Sequence, residues 1–117
     1  MLDLKKNIIC KRLRKLLDDE VRMYTRSSMI IVHEVRAFQD SSKNTWTLQI
    51  VALCESSHVS SFIKKYIKQL FELNCAYIDE SHQSGLKYRY KNKILVYNKL
   101  TEDDFSTINV LCGMKGY

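Results

Sequence analysis

The chain contains no proline, and only three of its 117 residues are glycine, at positions 85, 113 and 116. Proline and glycine are the residues that most often interrupt helices and strands. The sequence also has no low-complexity stretch and no shift in composition that would mark a linker. We therefore predict one domain over residues 1–117, ordered almost from end to end, with no second domain and no long disordered tail.

Composition narrows the class of partner. The chain is 45% hydrophobic, which is enough to build one core at this length. Its 19 Lys and Arg against 13 Asp and Glu give a formal charge of +6, which favours nucleic acid, an acidic protein surface or anionic lipid as a partner. No apolar run reaches the ~18 residues of a membrane span, and the amino terminus lacks a secretory core. We expect a basic, soluble protein of the cytoplasm or an organelle matrix, without membrane association.

The cysteines point to a reducing compartment. The chain has three histidines and four cysteines, and no two cysteines form a C-x-x-C pair. The cysteines are Cys10, Cys54, Cys75 and Cys112. Zinc modules and disulfide frameworks need closer or more regular spacings than these. We predict buried, reduced thiols.

The first half of the chain predicts a helix followed by a hairpin. An apolar stripe at helical spacing covers residues 3–24, with Asp3 as the N-cap. The lysines and arginines of this helix precede its acids, an order that opposes the helix dipole, so local helix stability does not explain it. Residues 29–38 and 45–53 are β-branched or alternating, and the polar link QDSSKN makes them a hairpin.

The stretch CESSHVSSFIKKYIKQLF, residues 54–71, predicts a strand-to-helix transition. Ser56 and Ser57 can cap a helix over residues 58–73. Six apolar side chains share the helix face that packs on the sheet: Val59, Phe62, Ile63, Tyr66, Ile67 and Leu70. The lysines lie on the opposite face, which is either a binding surface for an acidic partner or only the solvated side of the helix.

The last third predicts a short strand over residues 74–79 and a second hairpin. Its strands are LKYRY, residues 86–90, and ILVYN, residues 94–98, joined around KNK. Thr101 caps a final helix, with Asp104 in the capping-box position. The expected fold is therefore a single α+β domain in the order α-β-β-α-β-β-β-α, with a mixed sheet of four or five strands packed by helices.

No catalytic constellation stands out. Cys54 and His58 are four residues apart, but no third group is placed to orient them. Asp79, Glu80 and His82 are typical of a polar turn. The three glycines form no phosphate-binding loop. We predict that the protein is not an enzyme and has no catalytic residue, metal or cofactor.

The strongest binding signal is the basic and aromatic segment KYRYKNK, residues 87–93. Lysine and arginine can contact phosphates while tyrosines stack on unpaired bases. The competing interpretation is that strand alternation alone puts the tyrosines on the core face and the cations in water. The predicted nucleic-acid or partner-binding residues are Lys64, Lys65, Lys68, Lys87, Tyr88, Arg89, Tyr90 and Lys93.

The segment IVALCESSHVSSFIKKYI resembles the strand-serine-helix stretch of the ribosome silencing factor (Iojap-like) family, with the sequence SSHV, residues 56–59, at its turn. ESHQSGLKYRYKNKILVYNKL and TEDDFSTINVL take the places of that family's acidic turn, closing hairpin and terminal helix. The likeness is one of order and spacing. The family's hairpin tryptophan is replaced by Leu86, its hairpin aspartates by residues such as Tyr90 and Lys93, and its strand histidine by Tyr97.

This resemblance implies a nucleotidyltransferase-like α/β fold without activity, bound to the large ribosomal subunit so that the small subunit does not dock. Exchanging acid for base on the hairpin suits ribosomal RNA better than a basic ribosomal protein. We expect a non-enzymatic ribosome-associated factor that binds rRNA or a ribosomal protein and modulates subunit joining or assembly. The alternative is a protein-interaction subunit, such as a viral or host-regulating protein, that self-associates as a homo-oligomer through a sheet edge.

Overall fold

The computed structural model describes residues 3–42, 44–81 and 91–117. Three helices and four strands lie in these ranges, and the strands form one sheet in the order β1-β2-β4-β3. In chain order the elements are α1 Leu4–Thr25, β1 Val32–Gln39, β2 Trp46–Cys54, α2 Ser57–Phe71, β3 Tyr77–Ser81, β4 Lys91–Leu100 and α3 Glu102–Met114. The predicted α+β class is confirmed.

The predicted helix starts are confirmed in detail. The Asp3 side chain accepts a hydrogen bond from the Lys6 N–H, and the Ser56 side chain accepts one from the His58 N–H. Thr101 and Asp104 form the reciprocal capping box at the start of α3. Each cap satisfies amide groups that the first turn of a helix leaves without partners, which is why these short polar residues mark helix starts in the sequence.

Two predictions about the strands are corrected. A mixed sheet was expected, but all three strand pairings are antiparallel. The α2 crossover does make β3 run in the same direction as β2, but β4 inserts between them and pairs with both. Residues 91–93 were expected to form a turn, yet they lie within β4 and pair with β2 on one side. The predicted strand LKYRY lies outside the described residues.

The three helices cover one face of the sheet and enclose the core with it. Alternate residues of β2 are buried, from Trp46 to Cys54, as its sequence pattern predicts for a strand with one covered face. On α2, Val59, Ile63 and Ile67 are buried, and the other three residues of the predicted apolar face pack against the core. The lysines of α2 consequently face solvent.

The charge order of α1 is explained by contacts with other elements. The buried carboxylate of Asp18 accepts hydrogen bonds from the N–H groups of Ile31 and Val32, at 2.7 and 3.0 Å. The Nε of Arg22 lies 3.0 Å from the other carboxylate oxygen, Oδ2, and forms an ion pair with it. Asp18 therefore sits late in α1 because it holds the start of β1, and this tertiary requirement outweighs the small preference of the helix dipole.

Candidate nucleic-acid interface

Three lysines of α2 form an exposed charged face. Lys64, Lys65 and Lys68 are all exposed, and none makes an ion pair with a described residue. Lys64 and Lys68 are one turn apart, so their ammonium groups project from the same side of the helix. Glu72 is the acid nearest to them in sequence. It is the C-cap of α2 and forms no ion pair with these lysines. Their charges are available to an anion.

The same lysines line a groove of about 410 Å³. Its other wall is the segment that follows α2, with Leu73, Asn74 and Cys75, and Ser61 lies one turn before Lys65. The left-handed backbone of Glu72, at φ 59°, ends the helix and turns the chain back beside its own lysine face. The groove thus combines three cations with the hydroxyl and amide side chains of Ser61 and Asn74, which is the donor chemistry that phosphate oxygens accept.

The remaining predicted binding residues do not join this groove in the described part of the chain. Lys93 is half-buried on the helix-facing side of β4, where its Cα partners are Ala52 and Glu80. It was expected beside a turn and lies instead in a central strand. Lys87, Tyr88, Arg89 and Tyr90 lie outside the described residues, so their role in binding stays a prediction.

The candidate catalytic groups have environments that do not favour nucleophilic chemistry. Cys54 is buried, and burial raises the pKa of its thiol to about 11 although the charge of Lys93 opposes the rise. A thiol with such a pKa is almost wholly protonated at neutral pH and is a poor nucleophile. His58 is exposed in the first turn of α2. Asp79 and Glu80 are consecutive strand residues and so point to opposite faces of β3.

The described residues hold no group of three potential metal-ligating side chains. His82, the third member of the polar turn considered above, lies outside the described residues. No helix in the described ranges is long and apolar enough to cross a bilayer.

Sequence reasoning missed a second basic groove between α1 and the end of α3. Lys11, Lys15 and Lys115 line it together with Tyr117. Arg12 also lines it, but its Nε donates to the main-chain oxygen of Tyr117 at 2.6 Å. The spacing of Lys11 and Lys15 signals a shared helix face, whereas nothing in the sequence brings Lys115 to them, because that contact depends on how α3 packs against α1.

Comparison with known proteins adds no relative: no protein-family model, no curated protein and no solved structure matches the chain. The resemblance to ribosome silencing factors therefore rests on the order and spacing of sequence segments alone.

Proposed function

We propose that this protein is a non-enzymatic RNA-binding factor that associates with a ribosomal subunit, in the cytoplasm or an organelle matrix, and modulates subunit joining or assembly. The observation that carries the proposal is the α2 lysine face: three exposed, unpaired lysines along one groove wall. RNA phosphates attract such a face through release of condensed counterions. The raised pKa of the Cys54 thiol favours a binding role over thiol chemistry.

Ribosomal RNA is the preferred partner within this class for two reasons. The chain is strongly basic, at +6 over 117 residues, and a ribosomal protein surface is itself usually basic and would repel it. The resemblance to ribosome silencing factors points to the same particle, with rRNA replacing the family's protein contact. The predicted residues Lys87 and Arg89 extend the set of cations that would contact this RNA.

Co-sedimentation with purified ribosomal subunits tests the proposal. The variant Lys64→Gln/Lys65→Gln/Lys68→Gln removes the α2 lysine face. The matched control, Lys5→Gln/Lys11→Gln/Lys15→Gln, removes the same charge from exposed lysines of α1. We expect the wild type and the α1 control to sediment with a subunit and the α2 variant to remain in the supernatant.

Two results would count against the proposal in different ways. If the wild type binds free RNA but sediments with neither subunit, the protein is an RNA-binding factor without a ribosomal role. If both triple variants lose sedimentation equally, net charge or the second basic groove, which Lys11 and Lys15 line, contributes as much as α2, and the α2 lysine face is no specific site.

A further inference from the structure

Strand β1 lies at one edge of the sheet, and no described strand pairs with its outer side. The Asp40 N–H donates to the main-chain oxygen of Thr45 at 2.9 Å, so Asp40 and Thr45 continue the β1–β2 ladder as a hydrogen-bonded pair. Hydrogen-bonded pairs alternate along an antiparallel ladder, so the main-chain groups of Val35 and Ala37 point away from β2. Outward-pointing edge groups of this kind are a template on which another strand can pair.

Side chains of helix α1 bond to the outward main-chain groups at the start of β1. The Arg14 Nη1 donates to the Val32 oxygen at 3.1 Å, and Asp18 accepts from the Val32 N–H at 3.0 Å. Both outer main-chain groups of Val32 are thereby occupied. A bulge between Val32 and Glu34 separates this closed part from the rest of the strand. An added strand can therefore pair only from Val35 onward.

Beyond the closed part, a groove of about 540 Å³ runs between α1 and β1. Its walls are Asp3, Lys6, Asn7 and Cys10 on α1 and Glu34, Arg36, Ala37 and Phe38 on β1. Phe38 is 49% exposed, so its ring is accessible to a partner at this edge. A groove between a helix and an open strand edge is the geometry in which domains accept an additional strand.

We propose that residues 35–39 of β1 pair with the same residues of a second copy of this chain, antiparallel and with the two-fold axis at Ala37. This register puts Arg36 of each copy opposite Phe38 of the other. Arg36 already lies 5.7 Å from the Phe38 ring within one copy, so the two side chains suit a cation–π contact across the axis. The small side chain of Ala37 leaves room for close approach of the two strands.

Charged side chains lie on both sides of the two-fold axis. Glu34 contacts Arg36 at 3.5 Å, which offsets the charge of that arginine beside the axis. Glu34 would face Asp40 of the second copy, a like-charge pair at the solvated rim that opposes the pairing by a small amount. The opposite edge is less suited to self-pairing, because β3 has only five residues and the exposed acids Asp79 and Glu80.

Sedimentation equilibrium without RNA, from micromolar to millimolar protein, tests the proposal. The wild type should approach twice its monomer mass of 13.8 kDa. Phe38→Lys puts a lysine opposite Arg36 of the second copy and should weaken the dimer by about tenfold or more. Adding Arg36→Glu to Phe38→Lys restores opposite charges across the axis and should restore the dimer. Tyr77→Lys, a change at a similarly exposed position on β3, should leave the dimer intact.

A wild type that stays monomeric over the whole range overturns the proposal. So does a Phe38→Lys variant that dimerises like the wild type, or a loss of the dimer in Tyr77→Lys, which would place the contact on the β3 side. Circular dichroism of each variant checks that the fold is kept. Because no RNA is present, failure here leaves the proposed function standing, and loss of RNA binding leaves the dimer standing.

Discussion

Helices α1 and α2 both carry runs of charge on their sequences, but the structure uses the two runs differently. In α1, five charged side chains bond to other parts of the fold, while Lys5, Lys11 and Lys15 are exposed. The five are Lys6, Arg12, Arg14, Asp18 and Asp19. In α2, the three lysines make no ion pair with a described residue and face solvent along a groove. A charge run on a helix is therefore structural or available depending on what the rest of the chain brings to it.

Lys6 shows that the partners of a charged helix residue can lie far away in the sequence. It is buried, with its ammonium 2.7 Å from Glu102, 96 residues away, and 4.2 Å from the centre of the Trp46 ring. Burial lowers the pKa of Lys6, but the hydrogen bonds to Glu102 and Asp3 outweigh it, and the net pKa is raised. The lysines of α2 have no such set of partners, so their removal should affect binding and not folding.

Asp18→Ala should have the largest effect on stability among the charged positions. The change leaves the N–H groups of Ile31 and Val32 without their acceptor and Arg22 without its buried partner. We expect a loss of about 3–5 kcal/mol in the free energy of unfolding, measured by urea denaturation. Asp18→Asn keeps one acceptor oxygen and should lose less. A loss below about 1 kcal/mol for Asp18→Ala would show that α1's charges are not structural.

Lys6→Ala should lower the free energy of unfolding by about 2–3 kcal/mol, because it removes both the buried aliphatic stem and the ammonium over the rings of Trp46 and Phe105. Lys6→Met keeps most of the stem and should cost only about 1 kcal/mol, since the Glu102 side chain is 70% exposed and remains hydrated without its partner. Equal unfolding midpoints for wild type and Lys6→Ala would contradict this account of the Lys6 contacts.

Tyr117 makes one of the α1 contacts dependent on pH. Its hydroxyl donates to the Asp19 carboxylate, and this hydrogen bond, with burial, raises the Tyr117 pKa from 10.0 to about 12. A raised folded-state pKa gives stability that is present below pH 10 and is lost as the pH rises towards 12. Tyr117→Phe should be less stable than the wild type at pH 7, and thermal unfolding should show that difference narrowing between pH 10 and 12. A constant difference would mean that the hydroxyl contributes nothing through Asp19.

Local signals made α2 and the helix starts predictable from sequence. Ser56, Thr101 and Asp104 act within one helical turn, and the apolar spacing from Val59 to Ile67 reports a buried face directly. The roles of Lys6 and Lys93 were not predictable in this way. The first depends on Glu102 and Trp46, and the second on β4 lying between β2 and β3, an insertion that no local pattern encodes. Alternation shows that a strand has two faces, but it does not show which strands lie beside it.

The smallest expected effect on stability belongs to Lys64→Gln/Lys65→Gln/Lys68→Gln. Exposed side chains without partners contribute little to folding, so the free energy of unfolding should change by less than about 0.5 kcal/mol. Urea denaturation beside Asp18→Ala measures both helices on the same scale. A loss above about 1 kcal/mol in the α2 variant would remove the contrast between the two helices.

The salt dependence of RNA binding distinguishes the exposed lysines of the two helices, because we propose that the α2 lysine face, and not Lys5, Lys11 and Lys15 of α1, contacts the phosphates. Each phosphate contact adds about 0.7–0.9 to the magnitude of the slope of log affinity against log salt concentration. For a ribosomal RNA fragment, we expect the magnitude of the slope to be about 2–3 smaller for Lys64→Gln/Lys65→Gln/Lys68→Gln than for the wild type, with little change for Lys5→Gln/Lys11→Gln/Lys15→Gln. Identical slopes for the wild type and both variants would contradict the proposal.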